Sequence, residues 1–71
     1  MRNSYKTYPI TLKIDCRNLA KSAIDELEEK LVRWLDVQIL GEDIIFADGD
    51  VTEFAYNRIW EILDHYNVII D

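Results

Sequence analysis

Seventy-one residues leave room for one domain, 1–71, and no second core. Hydrophobic residues make up 49% of the chain and include two Trp and four Tyr, a composition that folds rather than staying disordered. Fourteen acids against eight bases give a net charge of −6. The imbalance is uneven: residues 1–17 carry Arg2, Lys6, Lys13 and Arg17 against Asp15, a net +3, whereas residues 41–71 carry eight acids against Arg58 alone, a net −7. A field of that sign repels phosphate backbones and attracts basic surfaces, so direct nucleic-acid binding is not expected.

A single cysteine, Cys16, rules out an internal disulfide, and one Cys with one His, His65, cannot assemble a structural zinc site. No metal or cofactor is expected. No stretch approaches the ~20 apolar residues that cross a bilayer. The polar start has no apolar run of signal-peptide length behind it. The expectation is a cytoplasmic protein with no membrane partner.

Tyr8 to Asp15 alternates, with Ile10, Leu12 and Ile14 facing one way and Thr11, Lys13 and Asp15 the other, the signature of a half-buried strand. Pro9 stands at its start, where a missing N–H does least harm. Asp15 or Asn18 can cap a helix from Leu19 to about Trp34. Its apolar stripe is Leu19, Ala20, Ala23, Ile24, Leu27, Leu31 and Trp34, with Asp25, Glu26, Glu28 and Glu29 off it. Leu35 to Leu40 alternates again. Gly41-Glu42 reads as a tight turn, and Asp43 to Ala47 as the returning strand of a hairpin. Asp48-Gly49-Asp50 is expected to end that hairpin, with Asp50 and Glu53 at capping-box spacing for a second helix from Val51 to about Tyr66. Val51, Ala55, Ile59, Ile62, Leu63 and Tyr66 form its stripe, Asn67 stops it, and Val68 to Ile70 makes a short last strand.

The order β-α-β-β-α-β predicts an α+β, ferredoxin-like domain: a four-stranded antiparallel sheet with two helices on one face. The open face of that sheet shows either Ile44 and Phe46 or Ile45 and Ala47, and either Ile69 or Val68 with Ile70, depending on register. Tyr5, Tyr8, a partner or a second copy could cover it. Families that share this order each require something this chain lacks. RNA-recognition domains stack aromatics on the two central strands amid basic residues, where this chain has Thr11 and Lys13. Heavy-metal-associated domains need a second cysteine where Leu19 stands. Acylphosphatases need an Arg–Asn pair on an anion loop. Arg17 and Asn18 supply the names, but no Gly-rich loop precedes the helix.

Asp48-Gly49-Asp50 with Glu53 is too short for a calcium loop of twelve residues. His65 lies in the last turn of its helix, which favours the helix dipole, and no nucleophile is placed beside it by sequence. No catalytic residue is therefore assigned. Tyr56 and Trp60, one face over from the buried stripe, are ring types over-represented at binding hot spots.

These features point to a small acidic module that occupies a basic surface of a partner protein, such as one built to bind nucleic acid. Glu42, Asp43, Asp48, Asp50 and Glu53 would match charge, with Tyr56 and Trp60 as anchors. In size, charge and element order the chain resembles the small inhibitors that phages make against host nucleases, among them ferredoxin-like anti-CRISPR proteins. That resemblance implies a viral protein acting in the host cytoplasm, and with no shared motif it assigns no residue a role. The alternatives are a homodimeric domain that senses a small molecule, and a small enzyme of unspecified type.

Overall fold

The alternation in the first apolar run produces a nine-residue strand, β1 (Thr7–Asp15), in the computed structural model, which describes residues 6–70. Arg2, Tyr5 and Asp71, which enter the expectations above, lie outside the described residues. The elements that follow are α1 (Lys21–Leu31), β2 (Asp36–Leu40), β3 (Ile44–Thr52), α2 (Glu53–Tyr66) and β4 (Ile69–Ile70). The strands form one antiparallel sheet in the order β2-β3-β1-β4, so the domain is α+β with the ferredoxin-like layout.

Register assigns the faces. Ile10 pairs with Gly49, Leu12 with Ala47 and Ile14 with Ile45, and these pairs face the helices. There they meet Ile24, Leu27 and Leu31 of α1 and Ala55, Ile59, Ile62 and Leu63 of α2 in one buried cluster. Each large aliphatic side chain taken out of water there contributes roughly 1.5–3 kcal/mol. The opposite face shows Ile44 and Phe46 on β3 and Ile69 on β4, which settles the register left open by the sequence pattern.

Several expectations need correction. The third strand does not stop at Ala47: Asp48, Gly49 and Asp50 continue it, opposite Thr11, Ile10 and Pro9. A nine-residue β1 offers a ladder along this whole length, and backbone pairing overrides the local turn preference of Asp-Gly-Asp. Both aspartates point to solvent, so their extended conformation buries no charge. The second helix consequently begins at Glu53, not Val51, and Thr52, not Asp50, caps it by accepting a hydrogen bond from the Ala55 N–H at 3.3 Å. Val51 stays buried, but as a strand residue.

The first helix is shorter than its stripe. It is preceded by Ala20, which makes no side-chain cap, while the Asp15 carboxylate accepts from Arg17 instead. At its other end the Leu31 carbonyl accepts from both Trp34 and Leu35 N–H, each at 3.0 Å, which turns the chain before Trp34. The outer strands are also shorter than expected: the second starts at Asp36, and the last comprises only Ile69 and Ile70. Asn67 does end α2, in the left-handed conformation (φ 59°) that favours Asn or Gly at this position.

That tight turn after α1 sets Leu35 over Gly49. A Cβ on Gly49 would lie 3.2 Å from Leu35 Cδ2 and 3.6 Å from the Trp34 carbonyl oxygen. Glycine here lets the end of α1 pack directly on the sheet. Gly49→Val should destabilise by about 1–3 kcal/mol by overpacking, and Gly49→Ala by less, because the flexible end of Leu35 can move. Urea denaturation of the two variants measures the difference.

The helices are also tied by a hydrogen bond from the Tyr66 hydroxyl to the Glu26 carboxylate. That bond, with desolvation and the Glu26 charge adding to it, pushes the Tyr66 hydroxyl up to about 12. A group whose folded pKa is raised stabilises fully below its unfolded value, so this contribution is present below about pH 10 and lost as pH rises toward 12. In a phenolate absorbance titration Tyr66 should ionise late, and Glu26→Gln should bring it back toward the ordinary tyrosine range.

Candidate protein-binding surface

Each strand sends alternate residues to the face away from the helices, and their charges sort along it. At one end Asp36 of β2 stands directly opposite Asp48 of β3, with Thr11 of β1 on the other side of Asp48. Asp50 follows on the same face, two residues along β3. All three aspartates are exposed, and no ion pair among the described residues engages them. Like charges directly opposite one another on a sheet destabilise it. Toward the other end the face turns apolar: Phe46 and Ile44 are half-buried, while Leu40 and Ile69 are 44% and 46% exposed. Lys13, opposite Phe46, places a cation on this face.

Between Ile44 and Ile69 lies Asp15, only 6% exposed. Arg17 folds back over it, its Nε donating to the two carboxylate oxygens at 3.1 and 2.9 Å and its backbone N–H donating at 3.1 Å. These hydrogen bonds hold the Asp15 carboxyl below the usual carboxylate range, against the opposing effect of desolvation. The pair also commits the Arg17 guanidinium locally.

Of the residues expected to bind a partner, Asp48 and Asp50 share this face, where they are joined by Asp36. Glu53 follows at the first position of α2, exposed, where an acid suits the helix dipole. Glu42 and Asp43 lie in the β2–β3 turn, at the other end of β3, beside a groove walled also by Arg17, Lys21 and Asp25. Tyr56 and Trp60 belong to the helix layer. Tyr8 packs on Tyr56 with ring centroids 5.7 Å apart, and Tyr56 meets Trp60 edge-on at 6.3 Å. Tyr8 thus faces the helices and does not cover the open face. The structure therefore does not gather the seven residues into one patch. Ile44, Phe46 and Ile69 are one of the two sets that alternation left open for this face, and what sequence reasoning missed is the cross-strand meeting of Asp36 with Asp48. Their signal was strand alternation, which needed the register to become a surface.

Cys16 is fully buried, and desolvation, with the charges of Asp15 and Asp43, pushes its thiol up. His65 lines a different hollow, with Glu26 and Lys30, so the two nucleophile-and-base candidates are not brought together. Among the described residues no group of three or more His, Cys, Asp and Glu is placed to hold a metal ion, and no helix is long and apolar enough to cross a membrane. No family model matches this chain, and no curated protein or solved structure matches it either.

The lowered Asp15 pKa has a pH consequence with a definite sign. Its contribution is present above the unfolded-state value and is lost as pH falls through the lower folded value. Arg17→Ala should therefore reduce stability most near neutral pH and flatten its fall on acidification below about pH 4. Thermal unfolding across that acid range tests this.

Proposed function

We propose that this protein is a small acidic binding module that occupies a basic surface of a partner protein through its open sheet face. The supporting observation is the row of carboxylates Asp36, Asp48 and Asp50, without an ion pair among the described residues, on a solvent-facing sheet beside an exposed apolar corner. The opposition of Asp36 and Asp48 costs stability in the free protein, and a lysine or arginine from a partner would relieve it. Phe46, Leu40 and Ile44 supply the apolar contact such an interface needs at its centre. Glu53 extends the charged rim. Where the partner's basic surface is built for nucleic acid, occupying it makes this protein an inhibitor, and a phage-encoded inhibitor of a host nuclease is the concrete form of that reading. The protein acts in this role without catalysis.

Two measurements on one variant test the proposal. Replacing the three acids together (Asp36→Asn, Asp48→Asn, Asp50→Asn) should raise stability by about 0.2–1 kcal/mol through removal of the cross-strand repulsion. The same variant should lose capture of a basic protein that the natural chain retains from lysate at low salt and releases at high salt. Capture that survives the substitutions or is indifferent to salt would refute the acidic-face reading. A dimer formed through Leu40, Ile44 and Ile69 would instead persist in sedimentation at high salt.

A further inference from the structure

Pro9 lies in a strand that has neighbours on both sides, where proline is ordinarily excluded. The register explains how it is tolerated. The Cys16 N–H donates to the Asp43 carbonyl at 2.7 Å, which makes the even-numbered residues of β1 the ones that exchange hydrogen bonds with β3. The odd-numbered residues, Thr7, Pro9, Thr11, Lys13 and Asp15, therefore turn their backbone groups toward the β4 side. β4 reaches only Ile14 and Asp15, and the position opposite Lys13 falls outside the described residues. Among the described residues no strand pairs with Thr7, Pro9 or Thr11 on that side. The edge thus presents N–H and C=O groups of Thr7 and Thr11 and the carbonyl of Pro9, spaced as a ladder.

A groove of about 740 Å³ lies beside β4 along α2, lined by Asn57, Trp60, Glu61, Asp64, Val68 and Ile70, with Leu63 at its floor. Trp60 is 37% exposed, and the Tyr8–Tyr56–Trp60 ring contacts carry this wall toward the Tyr8 end of β1. α2 returns antiparallel to β3 and so runs in the direction of β1, with Tyr56 against Tyr8, Trp60 next, and Asp64 toward Val68 and Ile70. The groove has an apolar floor and an acidic rim.

We propose that this edge and groove bind an extended basic peptide segment of a partner, which joins the sheet as a strand beside β1. In an antiparallel docking, residues opposite Ile10 and Leu12 face the helix layer. An apolar or aromatic side chain opposite Ile10 packs on Trp60. A lysine or arginine opposite Leu12 lays its stem along the groove and brings its charge to Asp64, since Glu61 already pairs with Arg58 at 3.0 Å. A second copy of this chain fits poorly. Two-fold pairing about Thr11 sets Pro9, which has no N–H, opposite the other copy's Lys13, and it brings two acidic rims together. The far end of the edge is already filled by Ile69 and Ile70. This surface is separate from the open face, so its test is independent of that reading.

The probe is a set of blocked peptides of about six residues alternating lysine with valine or tyrosine, with glutamate in place of lysine as the control. They are titrated into isotope-labelled full-length protein and followed by NMR. Slowed amide exchange at Thr7 and Thr11, with movement of the Trp60 indole signal, is the expected result for the basic set alone. Thr11→Pro removes an N–H that β3 does not use and should weaken binding by about tenfold or more. Trp60→Ala should do the same, and it carries the test if the proline variant does not fold. The triple aspartate variant of the open face should bind the peptides as the natural chain does. The proposal is overturned by no protection at about 1 mM peptide, by equal binding of the glutamate set, or by peptide signals that move on Asp36, Phe46 and Asp48 instead.

Discussion

The pairing of β1 with β3 along nine residues constrains everything else in this molecule. One register places Ile10, Leu12 and Ile14 level with Gly49, Ala47 and Ile45, and a shift by a single residue would turn that whole set out to water. The same register puts Asp48 and Asp50 on the solvent side without burying either charge. It also brings Gly49 under the end of α1, where an added Cβ would lie 3.2 Å from the end of Leu35. The helices are held through the face this ladder creates, and the two surfaces considered for binding are its other face and its uncovered edge.

Much of this was legible in the chain. The stripe of Ile24, Leu27 and Leu31, and that of Ala55, Ile59 and Leu63, declare two helices by spacing alone, and the alternation of Ile10, Leu12 and Ile14 declares the strand they cover. What was not legible depends on partners distant in sequence. Asp48-Gly49-Asp50 has the local chemistry of a turn and becomes strand only because β1 is long enough to pair with it. Asp15, read as an outward strand residue or a cap, is buried because Arg17 returns to it. Charge distribution suffered in the same way: residues 42–53 are consecutive enough to suggest one acidic patch, but a strand of nine residues separates Glu42 and Asp43 from Glu53. Asp36, contributed by a different strand, meets Asp48 instead.

The resulting division of labour is economical for so small a domain. One face holds the core, its reverse carries uncompensated charge and exposed apolar groups, and one flank leaves backbone groups beside an aromatic wall. Small domains bury a limited fraction of their surface, and here the opposition of Asp36 and Asp48 draws further on that limited stability.

The ladder that organises the structure is also made of distant segments. Asp15 and Ile44 are 29 positions apart, and Thr7 and Thr52 are 45 apart, whereas β2 and β3 join across a short turn. Ring closure between remote segments must precede the reward of pairing them, and each doubling of the enclosed length adds only about 0.6 kcal/mol. The β2–β3 hairpin closes a short loop, whereas the β1–β3 ladder encloses long ones. Such a mix of near and distant pairings is the topology of mixed α/β domains rather than of helical bundles, and without β1 the acidic hairpin lacks the strand through which Ile10, Leu12 and Ile14 join the core.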